Sequence, residues 1–280
     1  MKRNVIRRKA IEPKSHPDPE PRDGGVQSVD RALRIIETLA EDDEGYRLSD
    51  LSVRTGLSTS TAHRLLATLE KRRFVQFDRT ESKWHVGAQS FSVGATFARR
   101  RNFVAQAMPY LRKLRDQTRE TANLAVVDDE KIIVLTRMES REIMRSLTKV
   151  GGRVAMVASG VGKAVLATYS DEDVNAIIHH HGMPRLTEKS IARPSDLFRE
   201  LDRIRNQGYA VDDEEACMGL RCIAAVVYND CSEPLAAISV SGMTSRVTDE
   251  RLPALGRTVR EVAAELTIAL GGVVPAVKSS

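Results

Sequence analysis

From residue 28 onward the apolar positions fall into a helical rhythm. In Ser28–Glu41, Ala32, Ile35, Ile36 and Leu39 recur at three- and four-residue spacing. That spacing predicts an amphipathic helix, with Ser28 as its cap. A loop, Asp42–Tyr46, follows. The stretch Arg47–Glu70 then reads as two helices joined by a tight turn. In the first, Ser49 is the expected cap, and Leu51, Val53 and the stem of Arg54 are the expected inward face. Gly56 sits where a chain leaving a helix commonly needs a positive φ. Ser58 is placed to cap the second helix. There Ala62, Leu65, Leu66 and Leu69 form one apolar stripe, while Thr59, Ser60, His63, Arg64 and Thr68 face the other way.

The rhythm then shifts to period two. Phe74, Val75 and Phe77 predict a short strand, Arg79–Ser82 a turn, and Trp84–Val86 a return strand. Three helices and a β-hairpin make a winged helix–turn–helix. A polar and basic helix face behind such a corner fits a major groove, since small hydroxyls admit close approach and Arg or His reaches base edges. The candidate DNA contacts are Ser58, Thr59, Ser60, Thr61, His63 and Arg64 on the helix, with Arg79 and Lys83 on the wing. A helical hairpin alone is equally a solvated corner. Arg72 and Arg73, at the helix end, are explained by the helix dipole as well as by DNA.

Beyond this unit, Ala88–Arg101 predicts a connecting helix whose Phe91, Ala95 and Ala98 suit a partner copy. Phe103–Thr121 reads as a helix striped by Val104, Met108, Leu111 and Leu114. Strands are expected at Asn123–Val127, Lys131–Met138, near Ile143–Val150, and at Tyr209–Asp212, Cys222–Tyr228 and Leu235–Ser241. Helices are expected at Asp171–His180, Pro194–Gln207 and Asp249–Leu270. Strands early and late, with helices between and outside, indicate an α+β domain around one sheet.

Charge changes the picture in one respect. Of 280 residues, the first 103 carry 20 Lys and Arg against 14 Asp and Glu, whereas the other 177 carry 23 against 24. The basic excess lies wholly in the half holding the helical hairpin, which favours a polyanion partner there and disfavours a purely protein-docking hairpin. The first 25 residues, rich in Pro, Lys and Arg, read as a disordered basic tail. Cys217, Cys222 and Cys231 match no zinc spacing, and an odd count without a secretory signal suits free thiols in a cytoplasm. No stretch approaches the roughly 18–20 apolar residues of a membrane helix.

Candidate chemistry gathers in the second half. Ser239 and Ser241, two apart on a strand, present both hydroxyls to one side. Their partner is a ligand carboxylate, a buried water or backbone. The turn Ala158–Lys163 (ASGVGK) opens an apolar run, and free N–H groups there make an anion seat. It is no P-loop, because Val157 stands where that motif needs Gly and Ala164 where it needs Ser or Thr. Lys163 reads as a surface lysine. Asp212 must point away, be protonated, or accept from a ligand hydroxyl such as a gem-diol. Cys222 is either an inert buried residue or a ligand contact. A thiol hydrolase using Cys222, a histidine and Asp212 is the alternative, but nothing ties His179–His181 to the cysteine. Those histidines close a helix before Gly182, and adjacent helical side chains diverge, so neither metal nor cofactor is expected.

The segments SVDRALRIIETLA, LSDLSVRTGLSTSTAHRLLATLEKRRFV, ASGVGKAVLA, GYAVDDEEACMGLRCIAAVVY and AAISVSG resemble, in order, the IclR-type transcriptional regulators. The resemblance spans about residues 26–272. It implies an N-terminal winged helix–turn–helix with a small β-wing (26–87) and a linker helix (88–103). It also implies a C-terminal effector domain related to GAF and PAS modules (104–273), with a largely antiparallel sheet and a short tail (274–280). It implies operator binding by homodimers, often paired into tetramers, under control of small organic acids or aromatic carboxylates. The effector half is most similar to glyoxylate- and pyruvate-sensing members. In those, the resemblance places the ligand at positions matching Gly160, Val161, Asp212, Cys222, Ser239 and Ser241. The family's turn usually has alanine at Val161; a backbone contact tolerates that change while the pocket shrinks. The expected effector is glyoxylate, then pyruvate.

Overall fold

The computed structural model describes residues 25–100, 103–140 and 149–275. The basic tail and most of the strand expected near Ile143–Val150 lie outside the described residues. The chain divides between Thr96 and Phe97 into two compact units, each with its own core.

The first unit runs α1 (Gln27–Ala40), α2 (Leu48–Thr55), α3 (Thr59–Lys71), β1 (Val75–Asp78) and β2 (Lys83–Val86), then enters α4 (Ala88–Arg100). Its core joins Ile35 and Leu39 of α1, Leu51 of α2, Leu66 of α3, and Val75 and Trp84 of the wing. Ile35, Leu51 and Leu66 are fully enclosed, and truncating any one to Ala costs about 2–5 kcal/mol. Gly56 has φ +67°, and its N–H closes α2 onto Val53 and Ser52. Ser58 caps α3, its Oγ accepting from the Thr61 N–H at 3.3 Å.

Two expected caps are not formed. Helix α1 starts after Val26, so Ser28 lies inside it, and α2 starts after Arg47, which puts Ser49 in its first turn. A cap is defined by where extended backbone turns helical, and here each serine lies two residues past that point. Val53 does not face inward: it is 77% exposed. Arg54 instead lays its guanidinium over the Tyr46 ring, 4.8 Å from the centroid. Tyr46 in turn bridges to Trp84 by two backbone hydrogen bonds. The expected loop thus adds a one-residue third strand to the wing.

The second unit begins with α5 (Phe103–Thr118), three residues shorter than expected because the chain turns through Arg119 at φ +62° into β3 (Thr121–Asp128). There follow β4 (Lys131–Met138), β5 (Arg153–Ala155), α6 (Gly160–Leu166), α7 (Asp171–His181) and α8 (Pro194–Gln207). Then come β6 (Ala210–Asp213), β7 (Leu220–Tyr228), β8 (Pro234–Met243) and α9 (Leu252–Ala269). The six strands form one antiparallel sheet in the order β5-β4-β3-β8-β7-β6.

Period two sorts the sheet's side chains between two cores. Leu124, Val126, Ile223, Ala225, Ile238 and Val240 pack beneath α5 and α9. Ala125, Ala224, Val226 and Ala237 pack beneath α6, α7 and α8. Asn123, Cys222, Ser239 and Ser241 share the parity of the second set. They are polar positions on a face that is otherwise apolar, beside α6. The α+β effector-type domain with an antiparallel sheet is therefore the fold observed.

Candidate functional site

Helix α3 presents Thr59, Ser60, His63 and Arg64 on its exposed side. Ser58 and Thr61 are engaged with each other, Ser58 Oγ donating to Thr61 Oγ1 at 2.9 Å, so they brace the helix start. No partner in the described residues holds the Arg64 guanidinium, and it is free to reach a base edge or phosphate. On the wing, Arg79 is exposed, while Lys83 is paired with Glu81 at 3.0 Å and must exchange that carboxylate to reach a phosphate. Asp78 Oδ1 accepts from the Thr80 and Glu81 N–H groups at the wing tip. Those backbone bonds hold its carboxyl below the usual range.

In the second unit a cavity of about 90 Å³ lies between the sheet and the start of α6. Its walls include Asn123, Ser159, Val161, Asp212, Cys222, Ser239 and Ser241, with Ala125, Ile132, Val134 and Val154 as the apolar side. Drug-sized ligands occupy roughly 300–1,000 Å³, so this space suits a molecule of a few heavy atoms. The pairing register assembles it. Cys222 stands opposite Ser241, and Ser239 lies between Ala224 on one side and Asn123 on the other. A Cβ on Gly160 would lie tight against Cys222, 3.0 Å from its carbonyl oxygen, and a Cβ on Gly162 would overlap the Met156 backbone. Ser159 caps α6, accepting from the Gly162 N–H at 3.0 Å. Gly160 and Val161 open that helix, where N–H groups have no helical acceptor.

The sequence singled out the serines but not Asn123. Its Nδ2 donates to Ser239 Oγ and Ser241 Oγ, each at 3.3 Å. With their oxygens accepting from the amide, both serines can turn their hydrogens into the cavity, which makes this wall a donor surface. The residue stands at the head of a run read only as a strand, and its one legible sign was an amide at an inward parity position.

Asp212, 5% exposed, neither points away nor stands free. Its Oδ1 accepts from the Glu215 N–H at 2.8 Å and from Ala216 at 3.3 Å. Burial, then the charge of Glu215, push its carboxyl up to about 6 against those bonds and Lys163. Burial, then Asp212, push the Cys222 thiol up to about 11. A neutral thiol is a poor nucleophile, and among the described residues no histidine lines the cavity.

Two family profiles cover most of the chain: the IclR helix-turn-helix domain over residues 28–79, and the bacterial transcriptional regulator IclR C-terminal domain over residues 95–268. The chain belongs to the IclR family of bacterial transcriptional regulators. It is 41% identical to the acetate operon repressor of Salmonella typhimurium over 89% of this chain and 92% of that one. It is 40% identical to the transcriptional repressor IclR of Escherichia coli K12, over 90% and 93%. The fold matches an IclR transcriptional regulator of Alicyclobacillus acidocaldarius with TM-score 0.75 at 25% identity, over 88% of this chain and all of that one. As an IclR-family member it is a regulator with a DNA-binding head and an effector-binding C-terminal domain, not an enzyme.

Two expectations for the IclR-type domain are corrected. Lys163 is no surface lysine: its side chain is wholly enclosed. Its Nζ donates to Val211 O at 2.7 Å and to Glu200 Oε1 at 3.4 Å, and pairs with Glu215. It thereby ties the anion-seat helix to the Asp212 loop and to α8. Nor do the histidines all diverge. His180 Nδ1 lies 3.1 Å and His181 Nε2 2.6 Å from Glu130 Oε2, their rings 4.5 Å apart. At a helix end, two long side chains from neighbouring positions can swing onto one point.

Proposed function

We propose that this protein is a sequence-specific DNA-binding repressor whose operator affinity is set by a two- or three-carbon organic acid, glyoxylate first and pyruvate second. The observation that carries this reading is the cavity of about 90 Å³ with Ser239, Ser241 and Asn123 on one wall. Its volume supports a small acid over an aromatic one. Its donors suit a carboxylate, since hydrogen bonds to an ionised acceptor are roughly twice as strong as neutral ones. Gly160 and Val161 offer backbone N–H groups from the other side. Cys222 serves as a packing contact, and Asp212 as acceptor for a hydroxyl of the hydrated aldehyde.

Residues 26–87 are assigned to DNA reading, 88–103 to the linker and 104–273 to sensing. Ser58, Thr59, Ser60, Thr61, His63 and Arg64 meet or brace the major groove, with Arg79 and Lys83 on flanking phosphates. Both of these relatives are named repressors, which supports the sign of regulation. A homodimer, or a dimer of dimers, presents two recognition helices, and the exposed Phe91 and Val93 of α4 offer apolar surface for pairing. The acid acts by population shift, binding one arrangement of the assembly better than another. Its location is the cytoplasm; among the described residues no helix is long and apolar enough to cross a membrane.

The test is a fluorescence-polarisation titration of the full chain on the DNA upstream of its own gene, with and without glyoxylate, pyruvate and 4-carbon oxo acids. A change in operator affinity confined to the small acids supports the reading. Specific DNA binding indifferent to every acid would remove the effector, and no specific binding would remove the regulator.

A further inference from the structure

The β3–β4 hairpin turns through two residues, Asp129 and Glu130, since Asp128 pairs directly with Lys131. Both have positive φ, 49° and 56°. Such turns ordinarily use Asn-Gly or Asp-Gly, because a side chain there is strained. Here an acidic residue with a long side chain takes the second position. Its carboxylate reaches the last turn of α7, where one oxygen, Oε2, meets both His180 Nδ1 and His181 Nε2. The donor atoms of the three residues all lie within 4.8 Å of one another. Gly182 ends the helix directly after them at φ +70°.

We propose that Glu130, His180 and His181 form a surface site for a divalent transition metal of the zinc class, separate from the acid cavity. Two imidazoles converging on one carboxylate oxygen define a point that a cation can occupy. Zinc stands about 2.0–2.2 Å from nitrogen and oxygen ligands, so tetrahedral donors lie roughly 3.4 Å apart. The contacts of 2.6 and 3.1 Å to Glu130 need to open by less than about an ångström to admit it. Two nitrogens and one oxygen select zinc, nickel or copper over magnesium or calcium, which prefer all-oxygen shells. The helix C-terminus adds partial negative charge. Three protein donors leave one position for water or a further ligand. His179, exposed on the same turn, does not join the group.

The metal would clamp the hairpin turn to α7. Ile132 and Val134, two and four residues beyond Glu130 on β4, line the acid cavity. The clamp therefore holds the strand that forms the cavity's apolar wall.

Cobalt(II) is the probe, titrated into the full chain with the visible and near-ultraviolet spectra recorded. The expected result is one Co2+ per chain with visible ligand-field absorption and no strong thiolate charge-transfer band, competed away by Zn2+. His180→Ala/His181→Ala should abolish this uptake, Glu130→Gln weaken it at least tenfold, and His179→Ala leave it unchanged. Zn2+ should raise the melting temperature of the wild type but not of the double variant. Absence of uptake, equal uptake by the double variant, or a thiolate band accompanying the visible absorption overturns the proposal. These side chains are exposed or half-buried, so the variants fold, and unchanged melting without metal verifies it.

Discussion

Replacing Lys163 by Met removes the only cation that Glu215 contacts among the described residues while filling the same space with carbon. Lys163 is fully enclosed, and the side chains of Glu215 and Glu200 are 8% and 12% exposed. Three groups lose a partner: the Glu215 carboxylate, the Val211 carbonyl and, in part, Glu200, which keeps Arg203 at 2.7 Å. Glu215 Oε2 already lacks a hydrogen-bond partner among the described residues. Removing one member of a buried pair costs about 3–5 kcal/mol, because the other charge stays behind. At roughly 2–4 °C per kcal/mol for a unit of this size, the second unit should melt about 6–20 °C lower at pH 7, read by scanning calorimetry. The sign of the pH dependence follows from Glu215. Its pKa is raised by burial, with Lys163 the leading opposing influence. Without Lys163 it rises further, so the folded state holds its proton more tightly than the unfolded one. Stability is then lost as pH rises through the folded pKa, and the deficit should shrink toward pH 5. Adding Glu215→Gln should recover part of the loss. A melting temperature within about 2 °C of wild type at pH 7 would refute the view that this cluster is a buried ion pair under strain of desolvation.

Arg64→Ala should weaken specific operator binding roughly five- to 150-fold, the worth of about 1–3 kcal/mol for a good base contact, with melting unchanged; equal affinity in a mobility-shift assay would remove its role. Ser239→Ala with Ser241→Ala should weaken glyoxylate by at least about tenfold by calorimetry, each charge-assisted bond being worth roughly 1.5–3 kcal/mol, while DNA binding without effector persists. Asp212, at about 6, is mostly ionised at pH 7 and mostly protonated at pH 5. Acid affinity should rise as pH falls across that window, because protonation removes the charge facing the anion while the carboxyl's carbonyl oxygen still accepts from the ligand hydroxyl, and Asp212→Asn should flatten the profile. A wild-type profile that is already flat would show that Asp212 does not face the ligand. The same raised pKa makes Asp212 a stability cost that sets in as pH rises from about 4 through 6.

Most elements were legible because their signals are local. The stripe Ala62–Leu69, Gly56 after a helix, and the period-two strands each depend on residues within one or two turns of each other. Pro194–Gln207, with Pro at its start and a left-handed Gly208 at its end, is bounded as the residues say. The paired serines were legible for the same reason, since one strand fixes their common direction. What was not legible depends on distant partners. Lys163 lies 37 and 52 residues from its carboxylates, and by composition a lysine belongs at the surface. Asn123 shows its purpose only once β3 lies beside β8. The histidines needed the hairpin turn to arrive from 50 residues upstream. Ser28 and Ser49 failed for a smaller cause: a helix start is decided by backbone entry, and serine is acceptable on either side of it.

The sheet order also has a consequence in time. Asn123 and Ser239 are 116 residues apart in the chain and adjacent in space. The DNA-reading head needs nothing beyond Trp84 and Val86 for its core, whereas the acid cavity is open until β8 slots between β3 and β7. At roughly 5–20 residues per second of synthesis, the head leaves the ribosome on the order of ten seconds before the strand that completes the sensor. A chain cut short after α8 would therefore keep a complete helix–turn–helix head while lacking the strands that close the cavity.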